Sequence, residues 1–271
     1  MIKIENLNYK YKTGEFALSN INLEIKDNEF VSIIGKNGSG KSTFSKLISG
    51  LVKFKNGKIE INNLDLSNKK QALEIRKNVA IVFQNPEHQI IFDRVYDDIA
   101  FGLKNLGFSN EEIEKRIDEA LEQVHMLKHK HSYTTELSLG QKQRIAIASS
   151  LAIHPKVLIL DEPTSMLDPG SKKQIYEILK NLKKNGITII YITNFIDEIL
   201  LGDRTIIFEN GKIKNDFYKK DLNNNLDALK DFEFPGIIPL LYALNSNGYN
   251  INIEDLSIQE LAQKITKREL N

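Results

Sequence analysis

A chain of 271 residues is long enough for one large domain or for one domain with a smaller companion. Its 37 lysines and arginines against 36 acids leave a net charge of +1, which removes the global basic field of a typical nucleic-acid binder, and its lack of cysteine rules out disulfides, thiolate zinc sites and a cysteine nucleophile. Met1 to Glu5 lacks the apolar core of a signal peptide, and the longest apolar runs, near 187–192 and 237–244, fall far short of the ~20 residues of a membrane span, so any work at a membrane is expected to go through partners.

From the N-terminus, residues 1–28 alternate as strands do, with Ile2, Ile4 and Leu7 followed by Leu18, Ile21, Leu23 and Ile25. Tyr9 and Tyr11 lie between these runs. Alone, such a tyrosine reads equally well as a half-exposed strand residue; beside the loop that follows, Tyr11 is expected to stack on a base. Glu29 to Ile34, apolar and rich in β-branched residues, reads as a buried strand and feeds Gly35-Lys36-Asn37-Gly38-Ser39-Gly40-Lys41-Ser42-Thr43, after which 44–50 reads as a helix ending at a glycine. Strand, glycine loop, lysine with hydroxyl, helix is the context a phosphate-binding loop requires. Glycines 35, 38 and 40 are expected to allow positive φ and close approach, aiming N–H groups and a helix N-terminus at phosphate oxygens. Lys41 would reach the β- and γ-phosphates of a bound nucleotide and Ser42 would ligate Mg²⁺.

Gly57 to Ile61 returns as a strand and Val79 to Phe83 as a buried one, ending at Gln84-Asn85-Pro86, a polar break where a side chain can face a ligand. Residues 85–136 then turn helical. Ser109 and Glu112 form a capping box ahead of Ile113, Ile117, Ala120, Leu121 and Val124, as expected of a helical insertion between strands of a central sheet. Ser138 caps a further helix opened by Leu137-Ser138-Leu139-Gly140-Gln141. The apolar strand Val157 to Leu160 ends in Asp161-Glu162. Two acids at the C-terminal end of a buried parallel strand need a partner, and that edge is where open α/β sheets bind ligands, so the pair reads as part of the nucleotide site rather than a solvated loop.

Asp168-Pro169 opens a helix that runs to Asn185-Gly186, 186–193 is a strand, and 204–208 with 212–214 flank Glu209-Asn210-Gly211 as a hairpin. Asp216 to Leu229, polar and asparagine-rich, reads as a linker. Two short helical patterns follow, around 239–245 and 257–265, the second with Ser257 and Glu260 as its box; too small to fold alone, this part is expected to pack on a neighbour.

In this order GKNGSGKST (35–43), Gln84, LSLGQ (137–141), VLILDE (157–162), SMLD (165–168) and the aromatic Tyr11 make residues 1 to about 215 resemble an ABC-type ATPase. VFQNPEHQ (82–89), VYDDIAFGLKN (95–105) and the tail FEFPGIIPLLYALNSNGYNI (232–251) add a narrower resemblance to the ATP-binding A components of energy-coupling factor importers, cobalt-type ones included. The resemblance implies an α/β phosphate-loop NTPase fold of ABC type. Its parts would be a central, mainly parallel sheet, an antiparallel N-terminal β subdomain, a helical insertion at about 85–153 and, over 216–271, a linker with a small C-terminal helical domain used in dimerisation.

It further implies two ATP molecules sandwiched between two ABC ATPase chains, in a homo- or heterodimer. Each ATP would be held by Tyr11 and the phosphate loop of one chain and by Ser138, Gly140 and Gln141 of the other. Asp161, with Ser42 and Gln84, is assigned to Mg²⁺, and Glu162 to polarising the attacking water. Gln84 senses metal and water while its loop meets the membrane partner, Asp168 lines the dimer interface, and Lys41 and Asn194 complete the catalytic set. The implied partners are a transmembrane coupling subunit and a substrate-binding membrane subunit, without nucleic acid. The implied place is the cytoplasmic face of the cell membrane, held peripherally.

Two positions depart from the family pattern. Asn194 stands where a histidine is usual, and none of the five histidines lies beyond Asp161 to replace it. An asparagine amide can donate a hydrogen bond but cannot titrate, so slower turnover is expected at this chain's own phosphate loop. Leu139 stands where glycine is usual, and acts on the ATP held by the opposite chain. Two other readings stay open: the ATPase of another ABC importer, against which only the FEFPG tail and the QNPEHQ segment speak, and a non-transport ABC ATPase of DNA repair or translation, which would carry long coiled-coil insertions, paired nucleotide domains or basic arms.

Overall fold

The N-terminal alternation forms β1 (Ile2–Lys10), paired antiparallel with β2 (Phe16–Ile25), in a computed structural model that describes residues 1–12, 14, 16–230, 232, 237–248 and 251. The apolar run after it forms β3 (Phe30–Gly35), buried at every position as a strand covered on both faces must be. Next come α1 (Lys41–Ile48), β4 (Asn56–Ile61), β5 (Leu64–Asp65), α2 (Lys69–Asn78) and β6 (Val79–Val82). The long stretch before the next strand holds α3 (Val95–Asn105), α4 (Asn110–Gln123) and α5 (Leu139–Leu151). β7 (Val157–Asp161), α6 (Pro169–Lys184), β8 (Thr188–Thr193), β9 (Arg204–Glu209), β10 (Lys212–Tyr218) and α7 (Ile237–Ser246) complete the chain order.

The described residues form two sheets, one of order β2-β1-β4-β5 and antiparallel, the other of order β10-β9-β3-β8-β7-β6 and parallel except for its β9–β10 hairpin. In the second sheet β3 lies between β9 and β8, with β7 next to β8, so the glycine loop after β3 and the acids after β7 emerge along one strand-end edge. One core fills the space between the sheets, where Ile2, Ile4 and Ile25 meet Phe44 and Leu47 of α1 and Ile33, Ile190 and Phe208. A second packs α3, α4, α5 and α6 onto the other face through Leu103, Ile117, Ile145, Ile178 and Tyr191.

The segment 216–229 differs from the linker read in the sequence. Asp216 to Tyr218 still belong to β10, and Lys219–Leu229 makes 3-10 turns that bury Leu222, Leu226 and Leu229 against Ile34, Ile199, Ile207 and Phe217. Burial contributes about 1.5–3 kcal/mol for each such leucine, a drive that the asparagines around them mask in the composition. The helical pattern at 239–245 is met by α7, whose first amides, from Ile237 and Ile238, donate to the Asp197 carboxylate at 3.0 and 3.2 Å. The pattern at 257–265, with Ser257 and Glu260, lies outside the described residues, as do parts of the 232–251 tail.

Candidate functional site

The glycine loop is shaped by contacts as much as by dihedral freedom. Gly38 and Gly40 take φ of 79° and 106°, as read from the sequence, but Gly35 does not; a Cβ there would stand 2.4 Å from the Phe208 carbonyl and 2.5 Å from Ser39 Oγ. Gly40 precedes α1, and no side chain caps that helix, so its leading amides and the positive end of its dipole are directed at the loop. Lys41 is buried and its Nζ donates to the carbonyls of Gly35 and Lys36 at 2.7 and 3.2 Å, which bends the ammonium back under the loop. Burial pulls its pKa down, against the attraction of Glu162 and Asp161. Residues 37–43 line one cavity of about 270 Å³ with Tyr11, Ala17 and Glu162. Tyr11 is 39% exposed, stands edge-on to Tyr9 at 5.0 Å between ring centres, and shares a 2.8 Å hydrogen bond between its hydroxyl and Thr43 Oγ1.

Across from the loop, β7 delivers its two acids differently. Asp161 is buried and accepts from Ser42 Oγ at 3.2 Å and from Ser45 Oγ at 3.1 Å; burial pushes its pKa up, and those two hydroxyls oppose the rise. Glu162 turns away from the strand with φ of 51°, a left-handed conformation unusual for glutamate and of the kind stored at functional sites. Its carboxylate accepts from Asn194 Nδ2 at 2.5 Å on one oxygen and from Gln84 Nε2 at 3.2 Å on the other. Burial raises its pKa as well, against the pull of Lys41. Asn194 Nδ2 also donates to Asn37 Oδ1 of the glycine loop at 3.3 Å, while its own Oδ1 is buried without a partner.

Gln84 therefore stands with Glu162 and with Ser165, whose Oγ accepts from it at 3.0 Å, rather than with the Ser42–Asp161 pair. Ser45 was not singled out in the sequence, yet it follows Ser42 by one helical turn, a spacing that gave the signal. Among the described residues no cluster of three His, Asp or Glu side chains could hold a metal alone. The serine hydroxyl and carboxylate of Ser42 and Asp161 are hard oxygen donors, suited to Mg²⁺ when phosphate oxygens complete its shell.

The LSLGQ segment forms a separate cluster. Ser138 caps α5: its Oγ accepts from Gln141 N at 3.3 Å while Gln141 Oε1 accepts from Ser138 N at 2.8 Å. Gln141 Nε2 lies 3.4 Å from His129 Nε2. A Cβ on Gly140 would fall 2.3 Å from Ser171 Oγ, and that hydroxyl donates to Asp168 at 2.6 Å, so the glycine lets α5 approach the first turn of α6. Hydrogen bonding holds the Asp168 carboxyl below its usual range. None of residues 138–141 lines the cavity of the glycine loop. The glycine-loop cluster and the LSLGQ cluster thus do not meet within one chain.

Residues 18–165 match the family described as ABC transporter. The chain is 39% identical over 272 residues to the energy-coupling factor transporter ATP-binding protein EcfA1 of Clostridium novyi (strain NT), with 98% of this chain and 97% of that one covered. It is 41% identical over 266 residues to the protein of the same name from Fusobacterium nucleatum subsp. nucleatum, with 98% of each covered. Among solved structures it resembles cbiO1 from Clostridium perfringens, part of the ABC transporter complex cbiONQ, at a TM-score of 0.77 and 37% identity over 89% of this chain and 98% of that one. It also resembles the dimeric ATP-binding cassette MJ0796 in a post-hydrolysis state bound to ADP and phosphate, at a TM-score of 0.73 and 33% identity over 80% and 98%.

Proposed function

This chain belongs to the ABC transporter family, and from that premise we propose that it is the ATP-hydrolysing subunit of an energy-coupling factor importer, driving uptake of a vitamin or metal ion through transmembrane partners. The observation that carries the reading is the Glu162 carboxylate. Partly buried, raised in pKa and gripped by two amides, it faces the glycine loop that would hold the γ-phosphate.

In this reading Tyr11 stacks on the adenine, residues 35–43 cradle the phosphates, and Lys41 straightens from the loop carbonyls onto the β- and γ-phosphates. Ser42 and Asp161 would hold Mg²⁺, which, when bound, neutralises charge on the phosphate oxygens. Glu162 orients the attacking water and draws on its proton, with its own position set by Asn194 and Gln84. Closure needs the second ATPase chain, because Ser138, the amide of Gly140 and Gln141 belong to a helix end that this chain's own cavity does not include.

In this reading contact with the membrane goes through partners; no helix among the described residues is long and apolar enough to cross one. Ile91, 72% exposed, and Phe92, which packs on Phe101 at 5.1 Å, offer an apolar surface just beyond Gln84. Asp98 fixes that surface by accepting from the amides of Ile91 and Phe92 at 2.8 and 3.2 Å. We assign this surface to the transmembrane coupling subunit; a separate membrane subunit would select the solute.

Two measurements test the reading. Purification from membranes is expected to recover the chain with a second ATPase and transmembrane subunits, and recovery without any membrane protein would contradict it. Glu162→Gln is expected to keep ATP binding and lose at least ~10²-fold in turnover; retained turnover would remove Glu162 from its role.

A further inference from the structure

Behind the residues that face the nucleotide, one buried carboxylate ties both loops of the site together. Glu198, 5% exposed in the 3-10 turn 196–201 after β8, accepts on Oε1 from Thr164 Oγ1 at 2.7 Å and Tyr176 hydroxyl at 2.6 Å, and on Oε2 from Tyr191 hydroxyl at 2.9 Å and Thr193 Oγ1 at 2.5 Å. Lys172 Nζ stands 3.9 Å away. A carboxylate withdrawn from water is costly unless its lone pairs are satisfied, and here four hydroxyls satisfy them.

The positions of those hydroxyls give the arrangement its meaning. Thr164 lies two residues past Glu162 on the loop after β7, and Thr193 directly precedes Asn194 at the end of β8. Thr193 Oγ1 also accepts from Phe195 N at 2.9 Å, so the residues on both sides of Asn194 are held by one hydroxyl. The 2.5 Å contact between Asn194 and Glu162 joins these two segments directly, and Glu198 joins them a second time through Thr164 and Thr193. The left-handed backbone of Glu162 is strained and persists only where its surroundings over-determine it.

We propose that Glu198 is a positioning residue for ATP hydrolysis, locking the loop after β7 against the loop after β8 so that the Glu162 carboxylate is presented to the water at the γ-phosphate. The inference rests on the reading of Glu162 as the water-activating residue. Removing part of the lock leaves the phosphate cradle intact and lets the carboxylate drift, and a displacement of about 1 Å can cost ~10²-fold in rate. The expected signature is a loss in kcat with little change in nucleotide affinity.

Thr193→Val gives the cleanest test, because it keeps shape while removing one donor to Glu198 and the acceptor for Phe195 N; Thr193→Ser keeps the hydroxyl. In the complex that copurifies with the full chain, Thr193→Val is expected to lose about tenfold or more in kcat, with ATP affinity within about threefold, and Thr193→Ser to recover most of the rate. Glu198→Ala should lose more than Thr193→Val. In a Glu162→Gln background Thr193→Val should add no further loss, since it acts through the missing carboxylate. Folded Thr193→Val protein with lowered Tm and full kcat, or a loss confined to KM, would overturn the proposal and leave Glu162 in place. Full turnover in Glu162→Gln would instead overturn the reading beneath it.

Discussion

The starts of α1 and α5 are built on opposite plans. No side chain caps α1, which leaves the leading amides of Lys41, Ser42 and Thr43 directed at the cavity they line. α5 is closed by a reciprocal box between Ser138 and Gln141, so Gln141 N is already taken. The first plan suits a cradle that binds a polyanion by itself; the second suits a rigid surface brought to a ligand held elsewhere. What remains on α5 is the Ser138 hydroxyl proton and the amides of its first positions, enough to complete a site and too little to form one. On the proposed reading, placing both plans in one chain makes a second chain a requirement of the chemistry.

The sharpest way to break this contrast is Gly140→Ala. Its methyl would meet Ser171 Oγ at 2.3 Å, displacing α5 from α6 while touching nothing in the glycine loop. Turnover of the assembled complex is expected to fall about tenfold, with ATP affinity of the separate chain unchanged. A matching loss of affinity in the separate chain would mean that the two ends are not independent.

Asn194→His probes the open end and is a smaller effect. The amide donates to Glu162 at 2.5 Å, and a protonatable ring in its place can add a donor at the phosphate, so single-site turnover is expected to rise several-fold. No gain would count against the expectation that asparagine slows this site.

The smallest effect concerns stability. Burial raises the pKa of Glu162, so ionising it costs more in the folded chain than in the unfolded one. That penalty is full above the folded-state pKa, shrinks as pH falls through it, and is gone below the unfolded value near 4.3. Glu162→Gln should therefore raise Tm of the chain without nucleotide at pH 7, with the gain narrowing as pH is lowered. A Tm that falls at pH 7 would show that the carboxylate stabilises the chain.

Much of this was legible in the residues. The apolar runs at 30–34, 157–160 and 188–193 became central strands, because full burial on both faces leaves a continuous β-branched signature. The glycine loop, both acids, the Ser109–Glu112 capping box and the Ser138 cap carried local patterns that tertiary contacts did not override. The linker reading at 216–229 failed because three leucines spaced four and three apart outweigh their asparagine neighbours, and the pattern alone does not say which face of the sheet awaits them. Glu198 left no signal, since a lone acid in a short turn looks solvated until four hydroxyls from distant segments converge on it. The packing reason for Gly140 was equally hidden, because Ser171 lies on another helix.

The most direct test of the account is the structure of the Glu162→Gln chain in its copurified complex, with ATP and magnesium. The account predicts triphosphate on Lys41 and Ser42 of this chain capped by the helix end of its mate, while this chain's Ser138 and Gly140 contact the nucleotide held by the mate. Nucleotide-loaded chains in which residues 138–140 stay out of reach of every phosphate would contradict it.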